Sequence, residues 1–193
     1  MPYSTRFDDA LMFASELHRR QVRKGTNTPY ITHLLAVASL VGEHTDEEGA
    51  VIAALLHDAV EDQGGASTRK IIAERFGERV VELVDACTDT DVTPKPPWKG
   101  RKEAYIAHLR DPATPTAACL ISAADKLHNS RCMIADLHRF GRESLKKFNA
   151  SPADLCWYYK SVAAVLEERL PNHPLVEELE RTVATLSEMI ERE

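Results

Sequence analysis

The run GAVIAALL at 49–56 constrains this chain more than any other stretch. On a helix it is apolar on every side, and such a helix has to be buried beneath other elements. The next six residues, HDAVED, add a histidine and three carboxylates to its end. Charged side chains are rarely buried unless they are paired or bind a metal. Either the segment turns to water after Leu56, or the interior of the fold uses those four side chains. At ~100° per residue, Glu61 lies one turn from His57 and Asp62 one turn from Asp58. A solvated helix end is the ordinary meaning of an isolated His-Asp pair. The all-round apolar approach shifts the balance toward a site.

The rest of the chain reads as helices that could surround that run. Apolar spacing and capping residues predict helices at about 5–23, 32–43, 47–62 (capped by Asp46), 67–76 and 78–88. Further helices follow at about 101–109, 116–137 and 151–170, and a last one from Pro174. SPAD at Ser151 to Asp154 forms a capping box with Asp in the usual Glu position. KGTNTPYIT is a loop, QGGAS breaks the chain, and DTDVTPKPPWKG, with three prolines and a glycine, is a second loop. Period-two alternation is nowhere sustained. The expectation is therefore an all-α fold of about eight to ten helices, forming a compact single domain over 1–193.

Two other polar residues interrupt apolar surroundings. Asp125 stands inside AACLISAADKLHN, and His33 sits between TPYIT and LLAVASLV. A buried Asp needs a cation, backbone amides or a metal. Alone, His33 reads as a core or capping histidine. Together, His33, His57, Asp58 and Asp125 make a mixed nitrogen and oxygen set suited to a divalent ion, with manganese, iron, zinc and magnesium all candidates.

Bulk properties narrow the partners. The 193 residues carry a net charge of −6 and an isoelectric point near 5.8. Nothing global draws such a chain to nucleic acid or an anionic membrane. No apolar run approaches the ~18 residues that span a bilayer, and the N-terminus lacks a signal-peptide layout. Cys87, Cys119, Cys132 and Cys156 are scattered, as buried thiols in a reducing compartment are. The expected setting is cytoplasmic, with a small-molecule partner and a homo-oligomer left open.

The motifs, taken in order, resemble a known family. His33, the His57–Asp58 pair, the acidic pair behind it and Asp125 follow the H…HD…D order of the HD-superfamily metal phosphohydrolases. RKGTNTPYITH resembles the R-K-…-PYI-x-H entry of the RelA/SpoT hydrolase domain, and ALLHDAVED its A-x-LLHD-x-VED motif. ADKLHNSR resembles D-[RK]-L-x-N-x-R, while FGERVVELVDACTD and TPKPPWKGRKEAYI match the segments between. The resemblance covers about 19–166, with the helices of 151–193 packing on that core. No synthetase or regulatory segment is recognised, so the chain is most similar to stand-alone small alarmone hydrolases of the Mesh-like type.

That resemblance implies a fold, a reaction and roles. His33, His57, Asp58 and Asp125 would hold the metal, most simply Mn²⁺, and Glu61 and Asp62 would be the catalytic acids. The implied reaction takes (p)ppGpp to GDP or GTP plus pyrophosphate by hydrolysis at the 3′ position. The same chemistry on (p)ppApp or on the 2′-phosphate of NADPH is an alternative, as is a non-catalytic HD-fold binding or antitoxin partner. Arg23, Lys24, Tyr30, Lys102, Asn129 and Tyr158 would contact the nucleotide. Three departures stand out: Leu34 replaces the usual Pro after the first histidine, the RKGTNTPY loop is one residue longer, and Asp91 stands where a lysine is common.

Overall fold

The computed structural model describes residues 3–90, 92 and 94–192. Ten α-helices and one 3-10 helix account for its regular structure among these residues, as the all-α expectation requires. The chain divides into two compact units, 1–96 and 97–193.

The first unit holds α1 (Thr5–Leu17), α2 (Ile31–Gly42), α3 (Glu48–Leu56), α4 (Ala59–Asp62), α5 (Ala66–Phe76) and α6 (Glu78–Cys87). Its centre is α3. Ala50, Ile52, Ala53, Ala54, Leu55 and Leu56 are all 0% exposed, and α1, α2 and α6 pack around them. Ala50, Ala53 and Ala54 share one face of α3, where their small side chains let a neighbouring backbone approach closely. Gly77 separates α5 from α6 at φ 82°, a left-handed conformation that costs any residue with a Cβ.

The second unit holds α7 (Trp98–Arg110), α8 (Thr116–Phe140), the 3-10 helix (Gly141–Lys147), α9 (Pro152–Arg169) and α10 (Pro174–Glu191). The stripe Leu175, Val176, Leu179, Val183, Leu186 and Ile190 is buried along α10, which packs on α8 and α9. Ser151 caps α9 as expected, its Oγ accepting the Asp154 N–H at 3.1 Å, with Pro152 at the first helical position.

Several boundaries differ from the sequence expectation. The first helix stops at Leu17, well short of 23. Beyond it the chain turns into a narrow hairpin-like loop, held by a lone bridge between Val22 and Pro29 and by Tyr30 N–H on Gln21 O at 2.9 Å. Asp46 is not the cap of the third helix: Glu47 occupies that place without a side-chain bond, and Thr45 Oγ1 accepts the Glu47 N–H at 3.1 Å. The helix expected over 47–62 breaks at His57–Asp58. There the His57 ring Nδ1 lies 2.8 Å from Ala54 O, the carbonyl that the Asp58 N–H would use in a continuous helix. The seventh helix starts at Trp98, three residues before the expected 101.

Candidate metal centre

The break in the helix builds a site. His33 enters from the first turn of α2, and His57 and Asp58 occupy the step between α3 and α4. One ligand atom from each of the three lies within 4.8 Å of the others. Asp58 Oδ2 is 3.1 Å from His57 Nε2 and 3.6 Å from His33 Nε2, and the two imidazoles meet edge to face at 5.2 Å. Both histidines are buried, at 1% and 3% exposed.

The hydrogen bonds set what these atoms can do. A carbonyl oxygen only accepts, so His57 Nδ1 carries a proton toward Ala54 O. In the neutral ring, Nε2 is then a lone pair directed at a carboxylate oxygen. Two acceptors 3.1 Å apart need a positive charge between them. A divalent ion would meet all three donors at once, and two imidazoles with a carboxylate are a suitable set for one. Tyr30 Oη donates to Asp58 Oδ2 at 2.6 Å, which would orient that carboxylate from behind, as groups next to metal ligands do.

Glu61 and Asp62 follow on α4. Glu61 accepts Lys95 Nζ at 2.7 Å and the Asp89 N–H at 3.2 Å. Asp62 Oδ2 accepts Gln21 Nε2 at 2.7 Å. Burial pushes the Asp62 carboxyl up to about 6; the Asp58 charge adds to the shift and the Gln21 hydrogen bond opposes it. The residue's surface is nevertheless open to solvent, which screens such effects, so the upward direction carries the weight. A cation in the triad would act the other way.

The remaining expected residues fall in two groups. In the first unit, Tyr30 does not present a free ring face: it stacks on His18 at 5.3 Å and 16°, and Arg23 lies over it at 5.7 Å. Lys24 is exposed. In the second unit, Asp125 is buried on α8, where Lys126 Nζ and Asn129 Nδ2 donate to its two oxygens. Burial works against the charge on Lys126, but the Asp125 carboxylate and three nearby tyrosines hold its pKa well above the ordinary lysine range. Lys102 Nζ lies 5.0 Å from the centre of the buried Tyr158 ring. Asp91 lies outside the described residues.

Three participants were not singled out in the sequence. His18 looked like one more residue at helical spacing, Gln21 sat just ahead of the recognised RKG stretch, and Lys126 was hidden as the neighbour of Asp125. Only Lys126 had a readable signal, because a buried Asp calls for a cation.

Residues 10–150 match the HD domain. The chain is 38% identical over 127 residues to the guanosine-3′,5′-bis(diphosphate) 3′-pyrophosphohydrolase of Haemophilus influenzae, covering 63% of this chain and 18% of that protein. It thus spans under a fifth of that longer relative. It is 34% identical over 131 residues to the Drosophila melanogaster guanosine-3′,5′-bis(diphosphate) 3′-pyrophosphohydrolase MESH1, covering 66% and 69% of the two chains. Among solved structures, a metazoan ortholog of SpoT that hydrolyzes ppGpp superposes with a TM-score of 0.77 and 28% identity over 96% of this chain and 97% of that one. The His57–Asp58 step thus sits in a sequence and a fold that agree on its kinship, and the chain belongs to the HD domain family.

Proposed function

We propose that this protein removes pyrophosphate from the 3′ position of guanosine 3′,5′-bis(diphosphate)-type nucleotides. The observation that carries the reading is the triad of buried His33 and His57 with half-buried Asp58, and Glu61 and Asp62 one turn beyond it. A divalent ion held there, with manganese as the first candidate, would supply a Lewis acid for water and for the phosphoryl oxygens. Asp125 is proposed as a further ligand on the strength of the sequence motif.

Glu61 and Asp62 are assigned to the water. Asp62, with its raised carboxyl, is suited to taking a proton near neutral pH and returning it. Lys95 keeps a positive charge beside Glu61 and so limits the repulsion within the acidic pair. Arg23, Lys24, Lys102, Asn129 and Tyr158 are assigned to the nucleotide. Tyr30 supports that role indirectly, since its hydroxyl serves Asp58.

The setting follows from less. Among the described residues no helix is long and apolar enough to cross a membrane, and all four cysteines are free thiols. We assign the protein to a reducing compartment, the cytoplasm, on that basis.

A hydrolysis panel tests the reading. Guanosine and adenosine 3′-pyrophosphate nucleotides and NADPH are each incubated with the protein and manganese, magnesium, iron or zinc. The expected result is GDP or GTP plus pyrophosphate, fastest from the guanosine substrates. Release of phosphate from NADPH alone, or no turnover with any ion, would overturn it.

A further inference from the structure

The two carboxylates of the acidic pair are held in different ways. Glu61 is gripped by a cation and a backbone amide, Lys95 at 2.7 Å and Asp89 N–H at 3.2 Å. For the Asp62 side chain the one hydrogen bond among the described residues comes from Gln21, whose Nε2 reaches Oδ2 at 2.7 Å. Gln21 comes from the loop after α1, 41 residues earlier in the chain.

The Gln21 amide has one workable orientation. Its Oε1 accepts Gln63 Nε2 at 2.6 Å and faces His18 Nδ1 at 2.7 Å. Turned over, the amide would set its NH₂ against the NH₂ of Gln63 and its oxygen against the Asp62 carboxylate. Both contacts would be repulsive. Since Oε1 only accepts, His18 Nδ1 carries the ring proton. His18 is 2% exposed, and its burial lowers its pKa, which favours the neutral ring with its proton on Nδ1. Stacking on Tyr30 at 5.3 Å fixes the plane of the imidazole, and the same tyrosine's hydroxyl bonds Asp58 at 2.6 Å. One run of contacts therefore joins the triad to the acidic pair through side chains alone: Asp58, Tyr30, His18, Gln21, Asp62.

We infer that Gln21 is a positioning residue for the reaction, an amide clasp that fixes the Asp62 carboxylate by Oδ2 and leaves Oδ1 to exchange a proton with water. His18 and Gln63 are the groups that lock the clasp. This rests on the reading of Asp62 as a proton-moving group. The charges that face Asp62 are Asp58 and Glu61, which disfavour its ionised form, and Lys95, which favours it. The clasp adds a neutral donor on the side of ionisation, so its loss drives the carboxyl upward.

The test uses the metal-loaded protein and Gln21→Leu, with Gln63→Leu as a second variant that frees the amide without touching Asp62. Turnover of the best nucleotide in the panel and metal content are measured for each. The Asp62 carboxyl is also titrated by carbon NMR in protein loaded with magnesium, which is diamagnetic. For Gln21→Leu the expected result is a fall in kcat of roughly 10- to 100-fold, the size of effect that misplacing one reacting group produces. KM stays within about twofold, as for an interaction made in the transition state. Metal content is unchanged, the acidic limb of the pH–kcat profile moves up, and so does the Asp62 titration. Gln63→Leu gives the same signs at smaller size. An unchanged kcat and Asp62 titration in Gln21→Leu, a change in KM alone, or loss of the metal would each overturn the inference. If wild-type protein hydrolyses nothing in the panel, the functional reading fails by itself, and the titration of Asp62 still decides whether the clasp exists.

Discussion

Asp58 and Asp125 both interrupt apolar stretches, and the two units treat them in opposite ways. In the second unit, α8 runs for 25 residues straight through Asp125. The helix supplies its own answer, the adjacent Lys126 and, one turn on, Asn129 donating to the two carboxylate oxygens. In the first unit the helix breaks at Asp58, and the carboxylate faces two imidazole nitrogens at 3.1 and 3.6 Å. One carboxylate comes with its cation built in. The other faces the His57 Nε2 lone pair at 3.1 Å, an arrangement that a cation from outside would satisfy. The difference is between a carboxylate whose own helix already supplies donors, which any metal ion would have to share, and one set against imidazole nitrogens, and proximity in sequence to apolar residues does not reveal which is which.

The largest effects should come from breaking the triad. Asp58→Ala is expected to abolish divalent-ion binding and turnover together. Thermal unfolding of the metal-free variant should show stability equal to or above that of metal-free wild type, because the facing acceptors are gone. A variant that kept its full complement of metal would remove the distinction drawn between the two carboxylates. Glu61→Gln keeps the triad and should keep the metal while losing ~10²–10⁴ in turnover, the range for one general acid–base group. Metal analysis beside single-turnover rates checks both halves.

The second unit should respond in stability. Lys126→Met leaves Asp125 buried without its cation and should cost about 3–5 kcal/mol in denaturant unfolding, as breaking one partner of a buried pair does. A cost near zero would mean that Asp125 is no more self-sufficient than Asp58. The smallest effect belongs to the exposed Lys24. Lys24→Ala should raise KM about tenfold or more, roughly 1.5–3 kcal/mol for a charge-assisted contact, with kcat nearly unchanged and the effect larger at low salt.

Much of this was legible in the residues. The all-round apolar run at 49–56 required a buried central helix, and α3 is one. SPAD marked the start of α9 because capping is a local matter that four residues decide. His33, His57 and Asp58 stood out because polar groups in apolar surroundings need a reason. What could not be read was whatever depends on side-chain geometry across the fold. Helical spacing carried HDAVED straight through the break, since nothing in the spelling shows that the His57 ring takes the Ala54 carbonyl. The same spacing carried the first helix past Leu17, because the bridge from Val22 to Pro29 joins residues that local pattern does not pair. Tyr30 was expected to contact the nucleotide, and its hydroxyl on Asp58 depends on the loop bringing it back beside Gln21. Gln21 itself, an ordinary polar residue in a basic segment, gains meaning only from its three partners.

The cation that the triad calls for is the central requirement of the proposed reaction. The most direct measurement is pyrophosphate release from guanosine 3′,5′-bis(diphosphate) by metal-stripped protein, with divalent ions then returned in a titration. The predicted result is no release from the stripped protein, recovery on addition of manganese that saturates at a single ion per chain, and no recovery in Asp58→Ala. Release by thoroughly stripped protein at the rate of the metal-loaded sample would contradict it.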